Sequence, residues 1–389
     1  MGMKFKMLAK TSFGFEDLLI KELQEIGAES CVKATRAVHF EGDQSVMYKA
    51  NLHSRLALRI LKPIKTFPAT NEKQLYDEVR KIDWSTYMRV TDTLAVDAVT
   101  SHSNLTHSLY VSLKTKDAIV DQFRDQTGER PSVDLRFPTL RINVHLHDNK
   151  ATLSLDSSGD SLHKRGYREQ QGEAPLNETL AAGMVLLSGW DQKSPLTDFM
   201  CGSGTIVIEA AMIARKIAPG KFRREFGFER WKDYDDQLWK TLLSESVKAE
   251  LPSLTFRITG IDRSRQAISY SRDNARAAGV INDIDFNMMR FEDYTPEIPE
   301  QTIITNPPYG GRITDDDLFS LYKGIGDKLK GSFPGSTAWV LTANKEASKK
   351  IGLHPSAKVP LFNGALECRM LKYDLYKGSK KAAKQENEK

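Results

Sequence analysis

The stretch that most limits how this chain can fold is Asn306-Pro307-Pro308-Tyr309, which directly follows the apolar run 303–305. That run predicts a short buried strand, and ligands of open α/β sheets bind beyond the carboxyl ends of such strands. Two consecutive prolines stiffen the backbone and remove two N–H donors, so nearby carbonyls lack local partners. The Asn306 amide oxygen and the Pro307 carbonyl can then both accept hydrogen bonds from one amino group, while Tyr309 offers a flat face for stacking. The stretch predicts a site that holds an exocyclic amine on a planar ring.

A glycine-containing loop upstream predicts a cofactor site. Asp198 lies three residues before Cys201, and Gly202 and Gly204 precede an apolar helix predicted from residue 206. Glycines allow the backbone to approach a ligand closely, and the helix N-terminus favours a negative group such as a carboxylate. The candidate cofactor-binding residues of this loop are Asp198, Cys201, Gly202, Ser203, Gly204 and Thr205. A dinucleotide fingerprint would need a third glycine where Val207 stands, and no Gly-Lys-Ser/Thr of a P-loop occurs.

Acidic residues follow the next two predicted strands. The strand over 256–262 ends in Asp262, which is placed to accept two ribose hydroxyls. A helix capped by Ser264 and stopped by Gly279 comes next. A third strand over 285–288 leads to Glu292-Asp293, where we expect Asp293 to meet an adenine amine. A single acidic residue is more often a solvated turn residue, but this succession indicates a doubly wound α/β sheet with a nucleoside-type cofactor.

The two motifs resemble those of the amino-methyltransferases, enzymes that methylate nitrogens of nucleobases with S-adenosylmethionine (SAM). Asn-Pro-Pro-Tyr is similar to their motif IV, and the loop after Asp198 is similar to their motif I. The resemblance implies SAM as cofactor, with Asp198 near its positive end, and with Asn306 both beside the cofactor and on the target amine. Cys201 and Cys368 raise the alternative of a cysteine-nucleophile base methylase. That chemistry requires a cysteine in the motif IV loop, which has none.

Composition narrows the function classes further. The length of 389 residues suggests two to three domains, and the net charge of +5 permits a nucleic-acid partner without requiring one. No run of about eighteen apolar residues occurs, so we expect no membrane span. The three scattered cysteines form no Cys-x-x-Cys pair, which predicts a cytoplasmic protein without a metal site.

The N-terminal part predicts two α+β units. Residues 1–66 show a β-α-β-β-α-β order of periodic segments, which is typical of a ferredoxin-like domain. Residues 67–160 contain a predicted helix over 72–80, a strand over 93–99, a helix over 105–125 and strands over 140–147 and 150–156. The apolar face of the helix over 105–125 is predicted to be Leu105, Leu109, Leu113, Val120 and Phe123. His102 and His107 have no apparent partner and are interpreted as structural.

A basic segment lies just before the predicted catalytic domain. Its candidate RNA-binding residues are Lys164, Arg165, Tyr167 and Arg168. A basic run is usually a solvated face, but its position between domains favours phosphate contact. The Lys-rich end, residues 378–389, is predicted to be disordered.

Nearly the whole chain resembles one family. The stretches 116–121, 153–159, 163–168, 175–182, 217–220, 226–231 and 361–369 are similar to the THUMP-containing large-subunit rRNA guanine-N2 methyltransferases of the RlmL/YpsC type. The resemblance implies a Rossmann-like class I SAM-dependent methyltransferase domain over 161–377, preceded by the ferredoxin-like domain over 1–66 and a THUMP RNA-binding domain over 67–160. It also implies 23S rRNA or a ribosomal precursor as partner. Phe199 stands where the family usually has proline.

Several alternatives stay open on sequence alone. An adenine-N6 methyltransferase of DNA or RNA is one, because Asn-Pro-Pro-Tyr suits adenine amines equally well. A tRNA guanine-N2 methyltransferase is another. The third is an RNA-binding assembly factor that no longer transfers methyl groups, against which the intact set Asp198, Gly202, Gly204, Asp262 and Asn306 argues.

Overall fold

The computed structural model describes residues 2–168, 176–310 and 314–377. The chain divides into two compact units. The first holds Met1–Thr11, Leu19–Leu162 and Arg223–Ser244, and the second holds Ser12–Leu18, His163–Phe222 and Glu245–Lys389. Residue 175, which opens one of the family-like stretches, and the predicted disordered end 378–389 lie outside the described residues.

Residues 5–156 form eight strands and four helices. The elements are β1 Phe5–Thr11, α1 Glu16–Glu25, β2 Glu29–Ala34, β3 Ala37–Gly42, α2 Gln44–His53, β4 Ala57–Pro68, α3 Glu72–Arg80, β5 Thr93–Ser101, α4 Ser108–Thr127, β6 Ser132–Val133, β7 Leu140–His147 and β8 Lys150–Asp156. The strands make one sheet in the order β2-β3-β1-β4-β8-β7-β5-β6. Strand β5 runs parallel to β6 and β7, and the other neighbours are antiparallel.

The predicted β-α-β-β-α-β order is confirmed by β1, α1, β2, β3, α2 and β4. Local signals explain the agreement at α2, because the Asp43 side chain accepts a hydrogen bond from the Val46 N–H (3.1 Å) and caps the helix. The short strand β6 was not predicted, since two residues carry no periodic signal.

The predicted apolar face of α4 is partly wrong. Leu109 and Leu113 are 68% and 47% exposed, whereas Val111, Ala118 and Ile119 are fully buried. The helix starts at residue 108 and ends before Gly128, which adopts a left-handed conformation. Leucine spacing alone therefore indicated a stripe that the sheet does not cover.

Within 178–310 and 314–374, the described chain forms seven strands and six helices. They are α5 Glu178–Leu187, β9 Leu196–Asp198, α6 Thr205–Ala214, α7 Asp236–Lys248, β10 Ile258–Asp262, α8 Arg265–Ala277, β11 Ile284–Met288, β12 Thr302–Thr305, α9 Asp315–Ser332, β13 Thr337–Thr342, α10 Lys345–Lys349, β14 Ala357–Asn363 and β15 Leu366–Asp374. Helix α8 begins and ends as predicted, with Ser264 as its cap and Gly279 at a positive φ of 69°.

The second sheet positions the candidate site. Its order is β11-β10-β9-β12-β13-β15-β14, and the five strands from β11 to β13 are parallel. Strand β9 has β10 on one side and β12 on the other, so the chain order reverses between β9 and β12. Ligands of doubly wound sheets bind at the carboxyl ends of the strands at such a switch point. Asp198 ends β9 there, and Asn306 directly follows β12.

Aromatic stacking explains two features of the sequence. Phe199, which stands where the related family usually has proline, is buried and stacks on Phe291 with ring centroids 5.6 Å apart. It also packs against Phe333 at 5.4 Å, so it belongs to the core of the second unit. In the first unit, Phe228 stacks on Tyr48 at 4.2 Å, which places residues 223–244 against α2. No helix within the described ranges is long and apolar enough to cross a membrane.

Candidate active site

The loop between β9 and α6 leaves a helix N-terminus open to a ligand. Gly202 and Gly204 have φ values of +55° and +84°, a region that side chains disfavour. A Cβ on Gly204 would lie 2.9 Å from the Ser271 Cβ, so close packing against α8 requires glycine there. A Cβ on Gly202 would meet nothing within 4 Å, and no side chain caps the first N–H groups of α6. These donors are therefore placed to bind a negative group.

Asp262 is oriented by backbone donors at the end of β10. Its Oδ2 accepts a hydrogen bond from the Gly202 N–H (3.1 Å), and its Oδ1 accepts one from the Ser264 N–H (2.8 Å). The carboxylate therefore joins the glycine loop to the start of α8. Since each carboxylate oxygen has two lone pairs, acceptor capacity remains for a pair of hydroxyl groups.

A cleft of 770 Å³ brings the predicted cofactor and amine residues together. Asp262, Asn306 and Pro308 line it, as do Arg263 and Glu292. Asp293, predicted to face the adenine amine, does not line this cleft, and its contact with the cofactor stays a prediction. Residues 291–293 form a 3-10 turn in which Asp293 points to solvent, and Glu292 takes the cleft position.

Asp198 lies beneath this cleft rather than along its wall. Its carboxyl group is 1% exposed and accepts hydrogen bonds from Thr305 Oγ1 (2.8 Å) and the Met200 N–H (3.1 Å). Burial raises the pKa of Asp198 from 3.8 to about 7, and the nearby Asp262 adds to the increase. Thr305 immediately precedes Asn306, so this bond connects the glycine loop to the amine-binding stretch. The direct contact of Asp198 with SAM stays a prediction.

The Asn306–Tyr309 stretch forms the catalytic loop of the candidate site. The Tyr309 hydroxyl donates a hydrogen bond to Asn306 Oδ1, the atom predicted to accept the amine. Pro307 is buried and Pro308 is exposed. Burial and the neighbouring Cys368 raise the pKa of Tyr309, which therefore stays a neutral phenol.

Two residues that the sequence reasoning missed hold this loop. The buried Tyr322 of α9 donates a hydrogen bond to the Pro308 carbonyl (3.2 Å), and its hydroxyl lies 2.7 Å from Thr342 Oγ1. Asn344 Nδ2 donates to the Tyr309 carbonyl (3.3 Å). Neither residue belongs to a short motif, so only the fold brings them to the loop.

The basic segment before the catalytic domain is largely internal, which corrects two RNA-binding predictions. Arg165 and Tyr167 are each 1% exposed, and both contact the fully buried Glu209 of α6. The Arg165 Nε lies 3.4 Å from Glu209 Oε1, and the Tyr167 hydroxyl donates to the same oxygen at 3.0 Å. These side chains pair with one oxygen of a buried carboxylate and do not face RNA. Lys164 is exposed, and its RNA contact stays a prediction.

Arg168 is also engaged inside the protein. Its Nε donates to Glu178 Oε1 (2.8 Å), and its Nη2 donates to Thr205 Oγ1 (3.1 Å) at the first residue of α6. Among the residues that the structure describes, its buried Nη1 has no hydrogen-bond partner. The prediction that Arg168 contacts RNA is therefore wrong, since its guanidinium lies at the N-terminus of α6.

One available signal for this buried network was overlooked. Glu209 is the single charged residue in the apolar helix 205–214, where burial on all sides was predictable. A carboxylate in such a helix requires cationic and hydrogen-bonding partners from elsewhere in the fold.

The two cysteines of this unit are buried, Cys201 at 7% exposure and Cys368 at 0%. Burial raises the pKa of both thiols. Across ranges 2–168, 176–310 and 314–377, no three His, Cys, Asp or Glu side chains form a group that could hold a metal ion.

The fold and site together define a class I SAM-dependent methyltransferase. The cleft volume lies within the 300–1,000 Å³ range of small-ligand sites. Asp262 fits the ribose, and the uncapped N-terminus of α6 with the open side of Gly202 fits the methionine carboxylate. The residues present therefore suit SAM.

The chain belongs to the RMKL-like methyltransferase family, whose methyltransferase-domain model matches residues 165–372. Two further models match upstream, the RlmL ferredoxin-like domain over 6–61 and the THUMP domain over 69–156. These matches confirm the predicted kinds of domain and the predicted family.

Similar proteins extend this family assignment. The "Putative RNA methyltransferase slr0064" of Synechocystis is 42% identical over 369 residues, which cover 95% of this chain and 96% of that protein. The ribosomal RNA large subunit methyltransferase K/L of Syntrophotalea carbinolica is 43% identical, over 96% of this chain but 54% of the relative. The chain thus spans about half the length of that relative. The crystal structure of SMU.472 with bound SAH has a TM-score of 0.88 and 30% identity, covering 97% of this chain and 100% of that one.

Proposed function

We propose that this chain transfers the methyl group of SAM to the exocyclic N2 amine of a guanine in 23S ribosomal RNA. One observation carries the chemistry: Asp262, oriented for the cofactor ribose, and Asn306, the amine acceptor, line the same cleft. The THUMP match and the relatives named as RNA and rRNA methyltransferases support RNA as the substrate class. The K/L relative supports large-subunit rRNA.

The catalytic loop supplies orientation. Asn306 Oδ1 and the Pro307 carbonyl accept hydrogen bonds from the two N–H groups of the amine, which draws the nitrogen lone pair out of conjugation with the ring. Tyr309 stacks on the flipped-out base and fixes its plane. When bound, SAM supplies a methyl group already activated by its sulfonium. A nitrogen–carbon bond forms, a carbon–sulfur bond breaks, and the amine then loses one proton to solvent.

No strong base is required by this arrangement. Aligning the amine with the methyl carbon supplies most of the acceleration, and well-aligned groups contribute roughly 7–11 kcal/mol. The neutral Tyr309 and the amide of Asn306 are consistent with such a site, because neither takes a proton permanently. Asp262, which lines the same cleft and is bonded to the glycine loop through the Gly202 N–H, holds the cofactor ribose in this proposal.

Nucleoside mass spectrometry of rRNA from a deletion strain and its parent tests the proposal. Loss of N2-methylguanosine from 23S rRNA in the deletion strain is the expected result, with restoration by the wild-type gene and not by Asn306→Ala. Unchanged 23S N2-methylguanosine with loss from tRNA, or loss of N6-methyladenosine, would instead establish one of the other substrate assignments. Unchanged nucleosides throughout, with no detectable SAM binding, would indicate an assembly factor.

A further inference from the structure

An open groove of 600 Å³ lies on the second unit, between α10 and the β14–β15 hairpin. Its rim is formed by polar and charged side chains of both elements, and its floor by Leu371 and Tyr373. Leu353, His354 and Pro355, from the segment joining α10 to β14, complete the wall. The groove therefore offers a charged rim over an apolar floor.

Cations dominate the rim. Its charged residues are Lys345, Lys349, Lys358, Arg369, Glu346 and Glu367. The Lys349 ammonium pairs with Glu346 at 2.7 Å. Within the described residues, Lys345, Lys358 and Arg369 form no ion pair, so three cationic groups remain to bind an anion. Exposed cations without carboxylate partners are suited to phosphates, which they bind by charge-assisted hydrogen bonds.

The groove is connected to the catalytic loop by hydrogen bonds. Thr342, which lines the groove, lies 2.7 Å from the Tyr322 hydroxyl, and Tyr322 donates to the Pro308 carbonyl. Asn344, one residue before the first groove lysine, donates to the Tyr309 carbonyl. Residues 342–345 of the groove wall therefore lie close to the loop that holds the target base in the proposed function.

We propose that this groove binds the single-stranded RNA that flanks the target nucleotide. Lys345, Lys358 and Arg369 contact successive phosphates, while the ring of His354 and the flat side of Pro355 receive a ribose or base. This inference rests on the proposed function, and it names the part of the substrate that the SAM cleft does not hold. A flipped base leaves its neighbours with a distorted backbone, which such contacts stabilise.

Size and shape favour a single strand over a duplex. The volume of 600 Å³ suits a small fragment such as one nucleotide with its phosphates. Recognition of an A-form duplex instead spans successive minor grooves and requires a long surface. The mixture of cations with apolar floor and ring surfaces matches single-strand sites, in which charge follows the backbone and flat groups stack on bases.

The test compares two triple variants on 23S rRNA purified from the deletion strain. Lys345→Ala/Lys358→Ala/Arg369→Ala should raise the KM for RNA on the order of tenfold to a hundredfold, while the SAM Kd stays unchanged. The dependence of log KM on log salt should lose a slope of about 2, since each lost phosphate contact in single strands contributes about 0.7. The matched control is Arg257→Ala/Arg276→Ala/Lys240→Ala, which removes three exposed cations outside the groove.

The outcomes separate this inference from the proposed function. If the wild type methylates this RNA and the groove variant keeps the wild-type KM and salt slope, the groove inference is wrong and the function stands. If the wild type transfers no methyl group to it and the nucleosides of the deletion strain also match those of its parent, both are overturned. Photocrosslinking of wild-type protein to 4-thiouridine-substituted 23S rRNA removes any question of misfolded variants. Crosslinks within residues 345–358 or 367–369 support the groove, and their absence beside crosslinks elsewhere contradicts it.

Discussion

The hydroxyl of Tyr309 donates its hydrogen bond to Asn306 Oδ1, the atom that would accept the amine of the substrate. The Tyr309 side chain thus occupies the hydrogen-bond acceptor of Asn306. The Tyr309 carbonyl accepts a hydrogen bond from Asn344 Nδ2 (3.3 Å), which holds the backbone of the loop. Substrate binding must replace the phenol with the amine, so the base enters a site whose polar atoms are already satisfied.

Two substitutions that distinguish the role of the Tyr309 ring from that of its hydroxyl test this exchange. Tyr309→Phe keeps the stacking face and frees Asn306 Oδ1, so kcat should stay within a few-fold and the KM for RNA should not rise. Tyr309→Ala removes the stacking face, worth about 1–3 kcal/mol per base, and should lower kcat/KM roughly 5- to 150-fold. Steady-state transfer of labelled methyl groups measures both. Equal losses in the two variants would show that the hydroxyl, not the ring, is what the reaction uses.

Motifs that combine a local turn with a strand end were predictable from sequence. Asn306–Tyr309 and the loop from Gly202 to Gly204 both lie where the hydrophobic pattern of a strand ends. The parallel sheet brings such strand ends together. Ser264 and Gly279 were identified for the same reason, because capping depends on residues within a few positions.

Properties set by distant partners were not predictable. Arg165 and Tyr167 look like a solvated basic run until Glu209, over forty positions away, is placed against them. Leu109 and Leu113 have core-like spacing but lie on a side of α4 that the sheet leaves exposed. Asp293 and its neighbour Glu292 are chemically alike, and only the geometry of a three-residue turn decides which one lines the cleft.

The position of Arg168 predicts a role with the amino-acid end of the cofactor. Its Nη2 bonds Thr205 at the N-terminus of α6, and its buried Nη1 has no partner within the described chain. Arg168→Ala should weaken SAH binding about 10- to 150-fold, as expected for one hydrogen bond to a charged group. Binding of 5′-methylthioadenosine, which lacks the carboxylate, should change less than twofold. Calorimetric titration with both ligands measures the difference, and parallel losses would assign Arg168 to folding alone. Arg168→Lys, which keeps the charge, should recover part of the SAH affinity.

The buried Asp198 predicts a pH dependence of stability. Its pKa is raised from 3.8 to about 7 by burial, so the folded protein holds a proton that the unfolded chain has released. Since the native state binds more protons over this range, the free energy of unfolding should fall as pH rises from about 4 to about 7. Asp198→Asn keeps an oxygen acceptor for the Thr305 hydroxyl and removes the titration.

Urea unfolding at pH 5 and pH 8 checks this sign. The free energy of unfolding of Asp198→Asn minus that of the wild type should be larger at pH 8 than at pH 5. Only the wild type loses a proton, and with it stability, between these pH values. Thr305→Val is the matched control, since it removes the hydrogen bond and leaves the titrating carboxyl group. A constant difference between wild type and Asp198→Asn at both pH values would mean that Asp198 titrates near its ordinary pKa.

Substitutions at the Arg165–Glu209 pair test whether Arg165 stabilises the fold or binds RNA. Both side chains are almost fully buried, with exposures of 1% and 0%, and Tyr167 shares the same carboxylate oxygen. Removing one partner of such a pair costs about 3–5 kcal/mol, because the other is left as an unpaired buried charge. Arg165→Met should therefore lower the urea midpoint sharply. Arg165→Met/Glu209→Leu should recover part of the loss, since no unpaired charge remains although the Tyr167 hydroxyl loses its acceptor. If Arg165 instead contacted RNA, Arg165→Met would leave the urea midpoint near that of wild type and weaken RNA binding, and Glu209→Leu would not compensate. Filter binding to 23S rRNA at a temperature where all variants are folded completes the cycle, with an unchanged Kd expected for each.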